Sequence, residues 1–113
     1  MLTRGSIYMA DLPKTTNSSV QGGLRPVVII QNNAGNMYSP TVQIIPLTSQ
    51  LKKPLPVHTV IRHSSLTKIS IALAEQIQTI DKSSIRQYVG KLDDTTIERI
   101  NTCIMIQLGL VHN

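Results

Sequence analysis

Over the first two thirds of this chain, hydrophobic residues alternate with polar ones or run together in short β-branched blocks, and only later do they recur at helical spacing. Residues 6–10 read as a first strand that ends at Asp11-Leu12-Pro13. Residues 14–24 form a polar loop in which Thr15, Thr16, Asn17, Ser18 and Ser19 precede Gly22-Gly23. The β-branched run 26–31 has the continuous apolar character of a buried strand. Asn32, Asn33, Gly35, Asn36 and Pro40 predict a turn over 32–40. Residues 41–47 read as a strand with Thr48 at its end, 57–62 as a half-exposed strand, and 69–80 as one or two more.

The period then changes. Residues 82–89 predict a short helix, and a longer one follows Asp93, which is placed to cap it. Leu92 stands where it can staple to Ile97. Ile97, Ile100, Ile104 and Leu108 repeat on one helical face, and Gly109 supplies the stop. Strands followed by a capped terminal helix predict a mainly β, single-domain protein spanning 1–113. Its architecture is a small β-barrel or strongly curved sheet with helical additions.

Trp and Phe are absent, so Ile, Leu and Val must fill the core. No apolar h-region follows Met1-Leu2-Thr3-Arg4-Gly5, and no apolar run approaches the roughly 20 residues of a membrane span. A soluble cytoplasmic protein with no membrane partner is expected. Charge adds more than its total of +5 conveys. No carboxylate lies between Asp11 and Glu75, whereas Lys14, Arg25, Lys52, Lys53, Arg62 and Lys68 do, together with His58 and His63. A cationic middle suits a polyanion or an acidic protein partner, and it also suits a scattered solvated surface.

Three standard chemistries find no support. The central histidines have no carboxylate near them in sequence to complete a Ser/His/Asp set. His58, His63, His112 and the single Cys103 lack metal-ligand spacing, so neither a metal nor a cofactor is expected. Gly22-Gly23 is not followed by the Lys-Ser/Thr of a phosphate loop. What remains is the junction Gln21-Gly22-Gly23-Leu24-Arg25-Pro26. Its glycines allow close backbone approach, Arg25 offers a rigid fork for a phosphate, and Pro26 fixes the chain as it enters the strand. An ordinary hairpin turn with a surface Arg fits the same residues.

Longer motifs decide between those readings. Arg4-Gly5-x-Ile7-Tyr8-x-Ala10-Asp11-Leu12, the run from Gln21 to Asn32, Gly35-Asn36-x-Tyr38-Ser39-Pro40-Thr41-Val42, Leu47-Thr48, Glu75-Gln76-Ile77-x-Thr79-Ile80-Asp81-Lys82 and Leu108-Gly109-Leu110 resemble, in order, the MazF/PemK toxins. The resemblance implies an SH3-like β-barrel of the CcdB/MazF kind with a C-terminal helix, working as a homodimer. It implies a metal-independent endoribonuclease that cuts single-stranded RNA by 2′-hydroxyl attack, leaving a 2′,3′-cyclic phosphate and a 5′-hydroxyl. A cognate acidic antitoxin is the implied partner. By the same resemblance Arg25 and Thr48 are catalytic, and Ser19, Gln21, Gly22, Gly23 and Gln78 fall on RNA-binding positions.

Four positions depart from the family pattern: Val20, Ser6, Asn33 and Gln78 stand where Glu, Asp, Asp and Arg are frequent. Val20 cannot take a proton. His58 matches a recurrent family His that reads as a structural strand residue, with a substitute base as the alternative. Tyr8 and Tyr38 are expected to pack rather than to stack on bases. The departures leave open a non-catalytic antitoxin-binding or RNA-binding paralogue. A gyrase poison resembling CcdB is disfavoured, because the chain has no Trp for that group's Trp-Gly-Ile tail.

Overall fold

The computed structural model describes residues 2–14, 19–50 and 53–112. Thr15, Thr16, Asn17 and Ser18 of the polar loop, and the cation Lys52, lie outside the described residues. The strands are β1 (Ser6–Leu12), β2 (Gly23–Ile29), β3 (Thr41–Thr48), β4 (His58–Ile61), β5 (Ser70–Leu73), β6 (Gln78–Asp81) and β7 (Ile85–Lys91), and the helices are α1 (Asn33–Tyr38) and α2 (Asp94–Gln107). All strand pairs are antiparallel. The sheet runs β4-β5-β3-β2-β1-β7, with β6 pairing β3 beside that path.

β3 shares one of its edges between two strands. Thr41 to Ile44 pair with β6, and Leu47 and Thr48 pair with β5, while Ile44 to Pro46 face β2 on the other edge. The apolar runs in β2 and β3 are continuous because both faces of the sheet are covered there. Val28, Ile45 and Leu47 join Ile7, Leu92, Ile100 and Cys103 on the α2 side. Val27, Ile29, Val42 and Ile44 join Ala10, Leu12 and Ile80 on the other.

The sheet is barrel-like without closing into a continuous ladder. Its outer strands β4 and β7 are bridged instead by the loop after β4. His63 donates from Nε2 to Lys91 O (3.0 Å) and accepts at Nδ1 from Ser65 N (3.1 Å). The ring lies so close to Gly90 that a Cβ there would fall 2.5 Å from His63 Cε1.

Helix α2 begins and ends as its sequence predicts. Asp93 Oδ1 accepts from Thr96 N at 2.7 Å. Gly109, at φ +73°, closes the helix with the paired bonds Gly109 N to Ile106 O and Leu110 N to Met105 O. The buried face is Thr96, Ile100 and Cys103, however, and Leu108 is exposed.

Two predicted elements are overturned. The turn over 32–40 contains a six-residue helix, α1, because Asn32 caps it through its side chain, accepting from Gly35 N at 2.8 Å. The helix predicted over 82–89 is a 3₁₀ turn at Lys82–Ser84 followed by β7. The β1–β7 register slips twice, so β7 spends extra residues between its pairings. The extra residue between Ile85 and Tyr88 sends Ile85 and Val89, four residues apart, to opposite cores, where a regular strand would set both on one face.

Replacing Gly90 by Ala crowds a ring held at both nitrogens, and overpacking of this kind costs about 1–3 kcal/mol. Thermal unfolding is expected to show a Tm lowered by several degrees, and an unchanged Tm would deny His63 its bridging role. A second expectation concerns acid. The bonds from the Thr96 side chain and backbone hold the Asp93 carboxyl below the usual aspartate range. A lowered folded value means the contribution is present above the unfolded pKa, about 3.9, and is lost as pH falls through the folded value. The Tm gap between the native chain and Asp93→Asn, which keeps a capping oxygen without titrating, should therefore shrink below about pH 4.

Candidate active site

The site grows from the place where two strands part. The β2–β3 ladder runs through Val27↔Pro46 and stops, where Pro26 and Pro46 have no N–H to give. The β1–β2 ladder continues to Gly23, so Arg25 stays in a strand, opposite Ala10. Strand β2 thus begins three residues earlier than the sequence pattern predicts, and Arg25 is inside it rather than at a loop end. Past Pro46, Leu47 and Thr48 of β3 pair with β5 on the other edge and no longer with β2.

The Arg25 guanidinium fills the opening. Its Nε donates to Gly22 O (3.0 Å) and its Nη1 to Leu47 O (3.3 Å). Nη2 makes no hydrogen bond to a described residue. Partial burial pushes the group below the ordinary arginine value through desolvation. A guanidinium short of water gains more from an incoming anion than a solvated one does. Thr48 is buried, and its Oγ1 accepts from Gln50 N at 3.2 Å. Its neighbours Leu47 and Ser49 line a cavity of about 250 Å³ together with Arg25, Lys68, Thr67 and Ser70. The sequence motifs do not mark Lys68, Thr67 or Ser70 as site residues. The only signal for Lys68 is its place in the acid-free stretch.

The loop before β2 is tied down by Gln76, which belongs to a family-like motif but carries no role by resemblance. Gln76 accepts from Gln21 N through Oε1 (2.8 Å) and donates from Nε2 to Ser19 O (3.0 Å). A Cβ at Gly22 would lie 2.6 Å from Pro13 O, and Gly23 sits at φ +79°. The two glycines therefore let the loop close against Pro13 and Lys14 of its own chain. Ser19 is exposed and Gln21 half-buried, both beside the Arg25 entrance in sequence.

Other candidates sit elsewhere. Gln78 donates to Gln76 O (3.3 Å) and lines a separate cavity with Pro13, Thr41 and Ser84. His58 lies on β4, with β5 and β3 between it and β2. Its Nε2 is 2.7 Å from Glu75 Oε2, and its side chain is 5% exposed. The fold thus supplies the carboxylate that the sequence order withheld, and the pairing engages His58 as a strand residue. Tyr8 packs edge-on against Tyr88, with ring centroids 5.4 Å apart. Tyr38, expected to pack, is 82% exposed, because the short helix α1 leaves its last residue in solvent. Asn33 accepts from Arg4 N (2.8 Å), so this departure from Asp keeps an acceptor and loses only a charge. Among the described residues, no group of three His, Cys, Asp or Glu side chains could hold a metal ion. Among them, too, no helix is long and apolar enough to cross a membrane.

A curved antiparallel sheet with an arginine set in a strand gap and a terminal helix against one face defines a small barrel-like β module. Residues 3–108 match the model of the PemK-like, MazF-like toxins of type II toxin–antitoxin systems, and the chain belongs to that family. The endoribonuclease MazF of Staphylococcus saprophyticus is 44% identical over 97% of this chain and 93% of its own. A mycobacterial endoribonuclease, solved in complex with its cognate antitoxin, superimposes with a TM-score of 0.83 at 27% identity, covering all of both chains. MazF from Deinococcus radiodurans shares the fold, with a TM-score of 0.81 at 20% identity over 96% of each chain.

The Gln76 clamp makes a local prediction. Gln76→Ala should speed amide exchange at Gln21 by about fivefold to tenfold, as expected for the loss of one hydrogen bond. Gln76→Glu keeps the acceptor and should leave Gln21 protected. Unchanged exchange in the alanine variant would show that the clamp does not hold the loop.

Proposed function

We propose that the whole chain, 1–113, is one cytoplasmic, homodimeric toxin domain that cleaves single-stranded RNA without a metal or cofactor, with Arg25 and Thr48 as catalytic residues. The single observation that carries this reading is the parted β2–β3 ladder, in whose gap Gly22 O and Leu47 O fix the Arg25 fork beside a cavity that Lys68 also lines. The endoribonuclease name of a 44% identical relative supports the activity. The antitoxin bound to the mycobacterial endoribonuclease supports the partner. An acidic antitoxin tail suits the acid-free stretch between Asp11 and Glu75, and a tail that orders on binding would obstruct the RNA groove. Met105, Leu108 and Leu110, exposed around the end of α2, offer apolar surface of the kind a subunit contact buries.

In the reaction, the 2′-hydroxyl oxygen bonds to the adjacent phosphorus as the bond from phosphorus to the 5′-oxygen breaks. The 2′-hydroxyl gives up its proton and the departing 5′-oxygen gains one. The products are a 2′,3′-cyclic phosphate and a 5′-hydroxyl. Negative charge builds on the phosphorane oxygens in between. Arg25, fixed by Gly22 O and Leu47 O, meets that charge without reorganising, and the Thr48 hydroxyl is the proposed second donor. Val20 has no group to take the 2′-proton, and His58, paired through Nε2 with Glu75, stands on β4 with β5 and β3 between it and β2. Charge stabilisation therefore carries most of the acceleration. Ser19, Gln21, Gly22, Gly23 and Gln78 form the RNA-binding margin, with Gln78 reaching it through Gln76.

Arg25→Ala should lower cleavage of a long single-stranded RNA in EDTA by about 100- to 1000-fold with the dimer retained, while the loss of its bonds to Gly22 O and Leu47 O lowers Tm by only a few degrees. Arg25→Lys should recover little, since an ammonium cannot span two acceptors and a phosphate as the fork does. Thr48→Ala should be severe and Thr48→Ser milder. An active Arg25→Ala protein would overturn the assignment. So would products bearing a 5′-phosphate. A native chain that binds antitoxin yet leaves RNA uncut would identify a non-catalytic paralogue.

A further inference from the structure

The Arg25 cavity is the first of three that share wall residues in series. It shares Leu66, Thr67 and Lys68 with a cavity of about 390 Å³ under the loop that follows β4. That cavity shares Arg62 with a third, of about 480 Å³, between β4 and α2, where Arg99 and the Thr59 and Thr102 side chains form part of the wall. The cations therefore come in the order Arg25, Lys68, Arg62, Arg99. The path crosses from β2 past β3 and β5 to β4, three inter-strand steps or roughly 14 Å.

Among the described residues, no carboxylate lines any of the three cavities. Two carboxylates on neighbouring elements are engaged elsewhere. Glu75 faces His58 at 2.7 Å. Asp93 accepts from Thr96 N at 2.7 Å, although it is close enough to Arg99 to feel its charge. Arg62 makes no hydrogen bond or ion pair to a described residue, and Arg99 makes only a 3.3 Å bond to Thr96 Oγ1. Both side chains are exposed, and neither supports the core.

We propose that Lys68, Arg62 and Arg99 extend the RNA site as a backbone track that takes the phosphates of nucleotides flanking the cleaved bond, whatever their bases. The proposal rests on the reading that Arg25 marks the scissile phosphate. RNA is the occupant favoured over an acidic peptide for two reasons. The track starts at Arg25, so a strand held there delivers its next phosphates at high effective concentration. The Ser49, Thr67 and Ser64 hydroxyls line the same cavities as the cations, and hydroxyls with guanidinium and ammonium groups are donors that match phosphate oxygens. Among the described residues, no aromatic ring other than the imidazoles of His58 and His63 lines the track, and both are tied to protein partners. Its contacts therefore carry affinity without sequence choice.

The test compares two RNAs that share a cleavage site mapped beforehand on a long transcript. One holds the recognised bases alone, and the other adds oligouridine on both sides. The native protein should show a kcat/KM about tenfold or more higher for the flanked RNA, through KM, as uniform binding requires. Arg62→Ala/Arg99→Ala should lose that advantage while cutting the short RNA at the native rate with an unchanged melting curve. Its salt dependence on the flanked RNA should flatten by about 0.7 in log–log slope for each phosphate no longer neutralised. A parallel pair with 2′-deoxyribose at the cleaved position reads the same difference as Kd, so the track is measured even in a protein that does not cut. Failure of the native protein to cut either RNA would defeat the proposed function alone. Equal Kd and kcat/KM for short and flanked RNA would overturn the track, and so would a double variant that keeps the flank advantage. A double variant that handles both RNAs normally but binds an acidic antitoxin peptide more weakly would assign the surface to the peptide and overturn it too.

Discussion

Everything in this molecule is arranged around β3, a strand covered on both faces and paired along both edges. It is buried and apolar from Ile44 to Leu47, and it satisfies its backbone by dividing one edge between β6 and β5. The division gives the sheet its curvature. It leaves the far end of β3, at Leu47 and Thr48, attached to β5 on one side while the β2 ladder has already lapsed on the other. The gap in which Arg25 sits thus follows from prolines placed where the ladder would otherwise have run on.

Arg25 answers a structural need and presents a chemical opportunity with the same group. Two of its donors serve carbonyls near the strand gap, at Gly22 and Leu47, and this fixes the fork in place. Its partial desolvation then makes the charge more responsive to an anion. Catalytic rigidity comes here from ordinary hydrogen-bond satisfaction and needs no strained backbone.

Much of this is legible in the chain. The β-branched runs of β2 and β3, the Asp93 cap and the Gly109 stop have local causes, so local sequence reports them. Motif resemblance singles out Arg25 and Thr48, and the strand pairing explains why β2 and the end of β3 part between them. What escapes is set by distant contacts. The bulges of β7 answer to β1, nearly the whole chain away, and they break the alternation that would mark a strand. The helix α1 is hidden because Asn32, Asn33 and Gly35 are turn formers unless a cap bond recruits them. The pairing of His58 with Glu75 and the approach of Lys68 to Arg25 depend on strand order, and charge counted along the sequence does not contain that order.

The same long-range pairing has a bearing on synthesis. The strand that begins the sheet finds its outer partner only in β7, and the α2-side core is completed by Leu92, Ile100 and Cys103. Folds dominated by such non-local pairing form late and all at once. A growing chain on the ribosome therefore carries β2 and β3 for most of its length without the framework that holds their ends in register. The strand gap around Arg25 is therefore framed only once β7 and α2 have joined the strands made before them.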